Sequence, residues 1–406
     1  MRTLLLSGGP TTIPLIRPLS ESYNLVSILG HNVRNFKEIT GVDVEPIEMF
    51  ELPGMRDFAW NEATKVIKQM NWRNVKVGHK QEQWFWGWLL KQFVVQITMH
   101  ELISVCKEQR DIAGYVTHED VGMVYKMIAR WCKQQGIPSL QVCHSPYGIP
   151  NDDQGVHNEL NTDFVACSGP LQKGFFESQG YAPERSRITG LPHLDYLNII
   201  GKDKGMARAQ LRLDEKKPTI LFVGTWLMDS ERDRTIPRCE NIFNATLDAV
   251  KKHDWNLVVK VHPAAEQNQR DLTVKWHADR AKAKEVHAVV TARHNDVVLA
   301  ASDCAIGEAS SSFLTEAAIY GIPAAEWLDG YYGYSWPLAL RYKAETITED
   351  VEKVLTNMLR PEWMVENEDS RNKHIYEYNY LCDGNASRRV KEWVDEICAS
   401  KSSGKA

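Results

Sequence analysis

The chain has 406 residues, 43% of them hydrophobic and 25% charged, with a net charge of −5. That length exceeds one comfortable core and predicts two domains or more. The interspersed charges leave no electrostatic footprint for nucleic acid, a local basic groove aside, and eight scattered cysteines without a Cys-x-x-Cys pair read as reduced, buried thiols of a cytoplasmic protein, not as a disulfide frame or a zinc site.

In chain order, short apolar runs alternate with helical patterns. Leu4–Leu6 predicts a buried strand followed by the turn-forming "GGPTT"; three leucines are too few for a signal peptide. Residues 78–106, "GHKQEQWFWGWLLKQFVVQITMHELISVC", predict a helix apolar on nearly every face, with Trp84, Trp86 and Trp88 close together. Lys91, Gln92, Gln96, His100 and Glu101 interrupt it too often for a membrane span. A helix buried against a sheet, a membrane-surface or partner-binding face, and an aromatic wall of an acceptor cleft are the three readings left open.

"DIAGYVTHED" then predicts a strand running into a helix over 120–135. "SLQVCHSPYG" is a strand ending in a loop, and "DFVACSG" is another, ahead of the helical "PLQKGFFESQGY". The stretch from Pro183 to Leu211, holding Gly190 and Pro192, reads as a hinge. Beyond it come "TILFVGTW", a helix near 240–252, "NLVVKVHP", a helix near 276–284, "HAVVT", "DCAIGEASSS", an alanine-rich helix stopped by Gly321 and Pro323, and "IPAAEW".

Alternation of this kind, with unbroken apolar strands, predicts parallel sheets covered by helices. It occurs twice, so the fold class is α/β with two facing Rossmann-like domains and an interdomain cleft. The expected boundaries are 1–185 for an acceptor-side domain and 186–365 for a nucleotide-donor domain, with helices over 366–400 packing back across the cleft.

In open α/β sheets ligands bind beyond the carboxyl ends of the strands, so the residues just after each strand are the candidates. In the second half, Gly224 and Thr225 follow "TILFV": glycine admits close backbone approach and threonine offers a hydroxyl, though a tight turn alone explains them equally. His262, held by Pro263, can donate to a phosphate or act as a general acid. Ser310, Ser311 and Ser312 open the alanine-rich helix. One serine suffices as an N-cap. Three, at a helix start with free N–H donors, suit a group with several oxygens. Glu308 beside them repels phosphate but accepts ribose or sugar hydroxyls. In the first half His118, Glu119 and Asp120 follow one strand and His144 another. A histidine beside carboxylates is a usual general base, whereas Asp120 alone reads as a helix cap.

In their order these residues resemble the CDP-glycerol glycerophosphotransferases of teichoic-acid synthesis and, more loosely, the capsule- and polysialyl-type glycosyltransferases of GT-B fold. The resemblance covers roughly 111–395. It rests on "GIPSLQVCHSPYG" with His144, "ITGLPHLD" with Asp195, "PTILFVGTW", "LVVKVHP" with His262, "SDCAIGEASSS" with Glu308, Ser310 and Ser311, and "YLCDGNASRRV" with Asp383 and Arg388. The family commonly has Asp where Glu308 stands, and a Pro and an Arg near "GTWL" where this chain has Gly224 and Leu227; Arg232 or Arg234 is the candidate replacement for that arginine.

The resemblance implies transfer of a glycosyl or glycerol-phosphate group from a CDP-, CMP- or UDP-linked donor to an acceptor hydroxyl, without metal or cofactor. His262 and the three serines would stabilise the leaving phosphate, and His144 or the His118–Asp120 cluster would take the acceptor proton. A glycan or polyol polymer is the favoured acceptor, with nucleic acid as another. The alternatives are a nonhydrolysing UDP-sugar 2-epimerase, the same transfer onto a modified DNA base, and a nucleotide-binding shell without catalysis.

Overall fold

The computed structural model describes residues 1–7, 12–28, 33–70, 79–119, 122–143, 160–198, 201, 203–224, 232–261, 267–308, 312–327 and 351–400. In chain order the elements are β1 (Thr3–Leu6), α1 (Ile13–Ser20), β2 (Asn24–Ser27), α2 (Val33–Thr40), β3 (Glu45–Pro46), α3 (Met55–Gln69), α4 (His79–Gln109), β4 (Ile112–Thr117), α5 (Met123–Gln134), β5 (Ser139–Val142), β6 (Phe164–Cys167), α6 (Pro170–Ser178) and β7 (Ser186–Ile188). There follow α7 (Lys204–Gln210), β8 (Thr219–Val223), α8 (Arg232–His253), β9 (Asn256–Lys260), α9 (Gln267–Ala283), β10 (Ala288–Thr291), α10 (Asn295–Ala301), β11 (Cys304–Glu308), α11 (Ser312–Tyr320), β12 (Ala324–Trp327), α12 (Val351–Met358), α13 (Trp363–Glu366), α14 (Glu368–Asn379) and α15 (Ala386–Ser400).

The chain divides into two compact units, one of residues 1–193 and 385–406, the other of 194–384. The first holds a seven-stranded sheet in the order β3-β2-β1-β4-β5-β6-β7; the second holds five strands in the order β10-β9-β8-β11-β12. Every described pairing is parallel. Each sheet therefore reverses its strand order once next to its first strand, between β1 and β4 and between β8 and β11, where an open sheet splays its loops apart.

The pleat explains the apolar runs. In β1, Leu4 and Leu6 enter one core with Leu15, Ile16 and Leu19 of α1 and Val390, Trp393, Val394 and Ile397 of α15. Leu5 enters the opposite core with Leu102 and Ile103 of α4 and Ile128 and Trp131 of α5. A strand covered on both faces has no polar side, so the sequence shows a run and not an alternation. In the second unit α11 ends where expected: Gly321 takes φ +96, and its N–H and that of Ile322 both bond the Ala317 carbonyl at 3.0 and 3.1 Å.

Three expectations meet a different outcome. The segment expected to open the second domain at 186 instead places Ser186–Ile188 in the first sheet, paired with Val165–Cys167, and the units part at His193–Leu194. The helices over 366–400 do not act together. α14 packs on α11, where Arg371 donates to the Ala318 carbonyl at 2.8 Å. α15 packs on α1, and Arg389 donates to the Thr189 carbonyl at 2.7 Å. Finally, α4 buries Met99, Leu102, Ile103 and Cys106, but no residue from Phe85 to Thr98. Among the described residues no helix is long and apolar enough to cross a membrane. Seven described cysteines are buried free thiols.

Candidate active site at the strand carboxyl ends

In the first unit β1 and β4 lie side by side, with Leu6 opposite Val116. The residues following them, Ser7 and His118, thus meet where the strand order reverses. Ser7 is fully buried, and its hydroxyl donates to Thr117 Oγ1 at 2.8 Å. Thr117 in turn donates to the Glu119 carbonyl. The His118 backbone N–H donates to Ser7 Oγ at 3.2 Å, and His118 Nδ1 lies 3.2 Å from the same oxygen. Because the only hydroxyl proton of Ser7 is committed to Thr117, Nδ1 must be the donor in that last contact. Neutral His118 then carries its proton on Nδ1, and Nε2 is the acceptor nitrogen of the ring, the arrangement a general base needs.

Glu119 turns elsewhere. A Cβ on Gly122 would sit 2.8 Å from Glu119 Oε1 and 2.9 Å from Tyr125 Cδ2. The carboxylate is therefore drawn in at the N-terminus of α5, where a negative charge is favoured. Its charge, after burial itself, pushes the Tyr125 hydroxyl up to about 12. The Tyr125 ring meets His118 edge-on, with centroids 5.1 Å apart. Asp120 and His144 lie outside the described residues.

The second unit meets its reversal point with glycine. Gly307 in β11 faces Val223 in β8, and a Cβ there would fall 2.7 Å from the Val223 carbonyl oxygen. Gly224 continues the register of β8, donating its N–H to the Lys260 carbonyl at 2.9 Å. A Cβ on Gly224 would fall 2.8 Å from His277 Nε2. That histidine is fully buried beside Phe222, Phe243 and Trp276, and its Nδ1 donates to the Thr273 carbonyl at 2.8 Å. Among the described residues Nε2 finds no hydrogen-bond partner. Burial, reinforced by the Arg280 charge against the opposing pull of the Thr273 bond, holds the ring down at about 4, so it is neutral at pH 7. The room a side chain would need at Gly224 is thus taken by His277 of α9, a packing reason for glycine that the sequence reading, which had a ligand approaching there, did not contain.

Two further groups escaped the sequence reading. Lys260, the last residue of β9, is buried, and its Nζ donates to the carbonyls of Val261 and Ala292 at 3.1 and 3.2 Å. The ammonium lies 5.3 Å from the Phe313 ring centroid. Burial lowers it to about 8, with Glu316 opposing. Glu316 on α11 is raised to about 7 by burial, opposed by Lys260 and by the Asn295 amide at 3.3 Å. Lys260 was hidden inside "NLVVKV" because a strand lysine surrounded by apolar residues reads as strand; Glu316 was hidden inside an alanine-rich helix. The available signal was spacing: Lys260 precedes His262 by two residues, and Glu316 follows Ser312 by one helical turn. Ser312 is the exposed first residue of α11, and Glu308 ends β11. Thr225, His262, Ser310 and Ser311 lie outside the described residues.

A model of the family described as CDP-glycerol:poly(glycerophosphate) glycerophosphotransferase matches residues 140–315. That span holds the "CHSPYG", "GTW", "KVHP" and "EASSS" motifs on which the resemblance rested. No curated protein matches this chain. Among solved structures, a UDP-GlcNAc 2-epimerase from Neisseria meningitidis bound to UDP-GlcNAc superposes with a TM-score of 0.62 at 13% identity, over 98% of this chain and 100% of that one. A UDP-GlcNAc 2-epimerase from Methanocaldococcus jannaschii, in complex with UDP-GlcNAc and UDP, gives 0.56 at 12% identity over 98% and 100%. The wall teichoic acid polymerase TagF gives 0.52 at 12% identity over 98% and 89%. At these identities the structures speak for the fold alone, two parallel α/β units of GT-B type. The match over residues 140–315 spans less than half of the chain and is the comparison that bears on more than the fold.

Proposed function

We propose that this chain transfers a glycosyl or glycerol-phosphate group from a cytidine- or uridine-linked donor to an acceptor hydroxyl in the cytoplasm, with the second unit holding the nucleotide. The match of residues 140–315 to the glycerophosphotransferase family carries this reading, because it spans the strand-end motifs of the second unit. The geometry supports it. Gly224 and Gly307 sit at the strand ends where the order reverses, the edge at which open α/β sheets bind their ligands. In the same unit Lys260 and Glu316 lie near one another, a cation beside a hydroxyl acceptor.

In this reading bond breaking builds charge on the leaving phosphate. His262, Ser310, Ser311 and Ser312 meet that charge as hydrogen-bond donors, each such donor being worth about 10²–10³ in rate. The acceptor proton passes to His144 or to His118, whose Nε2 lone pair is set by Ser7. A glycan or polyol polymer is the acceptor, since the net charge of −5 does not favour nucleic acid.

The deciding experiment is a thermal-shift screen with CDP, CMP, UDP, GDP and ADP, followed by incubation with the matching activated donor and a polyol acceptor. Stabilisation by a cytidine or uridine nucleotide is expected. A chain indifferent to all five nucleotides would leave the reading without its donor. UDP-GlcNAc incubated alone, with product followed by proton NMR, tests the epimerase alternative; an isomerised sugar without acceptor would replace transfer by epimerisation. His262→Ala is expected to lower turnover by at least about tenfold with an unchanged circular-dichroism spectrum, and a wild-type rate would remove His262 from the mechanism.

A further inference from the structure

β9 runs apolar through Leu257, Val258 and Val259, all fully buried, and then places a lysine in the same interior. Lys260 is 3% exposed. An aliphatic side chain would fill that place without the cost of burying an ammonium, a cost that falls only when its donors are satisfied. What the ammonium supplies is direction. Its Nζ donates to the Val261 carbonyl at 3.1 Å and to the Ala292 carbonyl at 3.2 Å. The Val261 N–H donates to the Thr291 carbonyl at 2.9 Å. Val261 is therefore held at both ends, by its N–H directly and by its carbonyl through Lys260. Both ties lead to the end of β10 and the turn before α10.

The same residue reaches two further junctions. The Lys260 carbonyl accepts the Gly224 N–H at 2.9 Å, just past β8. The ammonium lies 5.3 Å from the ring centroid of Phe313, the second residue of α11. Glu316, nearly one turn further on, supplies the carboxylate whose charge favours the ammonium. Asn295, the first residue of α10, donates to that carboxylate at 3.3 Å. The exits of β8, β9 and β10 and the first turn of α11 are thus braced around one charged group.

Val261 immediately precedes His262 in the chain. The peptide plane that joins them carries the Val261 carbonyl, and a peptide plane is rigid. A hydrogen bond to that oxygen therefore fixes the direction in which the chain enters His262. Enclosed and bonded to two carbonyls, the ammonium acts on a ligand only through the residues it holds.

We propose that Lys260 is a positioning residue: by holding the Val261 carbonyl against the β10–α10 turn, it orients His262 toward the phosphate of a nucleotide. The proposal rests on the reading of the second unit as the nucleotide holder, with His262 donating to phosphate.

Titration calorimetry of the full chain with CDP and UDP, and with cytidine and uridine as their phosphate-free counterparts, isolates the phosphate share of binding. Lys260→Met keeps an unbranched side chain and removes the donors. It is expected to weaken diphosphate binding by at least about tenfold and to leave nucleoside binding and the circular-dichroism spectrum unchanged. His262→Ala is expected to show the same split. The double variant should bind the diphosphate within about twofold of His262→Ala alone, because residues that act through one contact do not add. Additive losses would make Lys260 a cation in its own right, and equal losses on diphosphate and nucleoside would make it a packing residue. Either result overturns the proposal, as does undiminished diphosphate binding. Should Lys260→Met fail to fold, Phe313→Leu, which withdraws the ring beside the ammonium, carries the same test at about threefold, and no loss there overturns it. A wild type that binds the diphosphates no better than the nucleosides is a failure of the nucleotide reading itself, and the role of Lys260 falls with it.

Discussion

The two units share a core plan and differ at the point where it becomes useful. Both run parallel strands outward from a central first strand and reverse beside it. In the first unit the reversal point is filled with side chains: Ser7, Thr117 and His118 join in a chain of hydrogen bonds that specifies which ring nitrogen bears the proton. In the second unit it is stripped of them: Gly307 lies against Val223, and Gly224 against a buried imidazole. One arrangement fixes the orientation of an imidazole with hydroxyls, and the other packs bare backbone against a strand and a buried ring.

The largest test of this contrast concerns His277, which backs Gly224. Its folded value of about 4 lies below the ordinary histidine value, so between about pH 6.5 and 4 the unfolded chain binds more protons than the folded one. The stability this group contributes is full above that range and is lost as pH falls through it, by about 3 kcal/mol. Urea unfolding of wild type and His277→Gln at several pH values should show the gap between them narrowing toward pH 4; a gap constant with pH would mean that the ring does not stay neutral in the fold.

A smaller effect is expected from Gly307→Ala. The added methyl meets the Val223 backbone, which can yield only by moving a strand, and a loss of about 2 kcal/mol follows. Unchanged stability would show that the second unit has room at its reversal point and that glycine is incidental there. Ser7→Ala should be milder, about 1–1.5 kcal/mol, because it strips a partner from buried polar groups without adding bulk. Its sharper readout is the nitrogen-15 NMR signature of His118, which should shift from one dominant tautomer toward a mixture. An unaltered signature would assign the ring's orientation to Tyr125 and leave Ser7 a packing residue.

Much of the fold was legible because parallel strands buried on both faces leave unbroken apolar runs, as Leu4–Leu6 and Ile220–Val223 do. The stop of α11 at Gly321 was legible for a local reason, the positive φ that glycine supplies. Ser186–Ile188 was not, since three residues carry no period and their place in the first sheet comes from pairing with Val165–Cys167. The sequence placed His118 and Gly224 just past their strands, and the structure has them there, after β4 and β8. The candidate site was illegible where the polar group sat inside an element: Lys260 within a strand, His277 and Glu316 within helices.

The amino-acid sequence by itself determined that the chain is two parallel α/β units with chemistry-bearing residues at the strand ends, because strand burial and turn formation are local properties of composition and order. Only the tertiary structure decided that His118 is oriented by Ser7 from a strand more than a hundred residues earlier. It alone decided that Gly224 is small because of His277, and that half of a strongly apolar helix is left facing outward. These are meetings between distant segments, and no local pattern encodes which segments will meet.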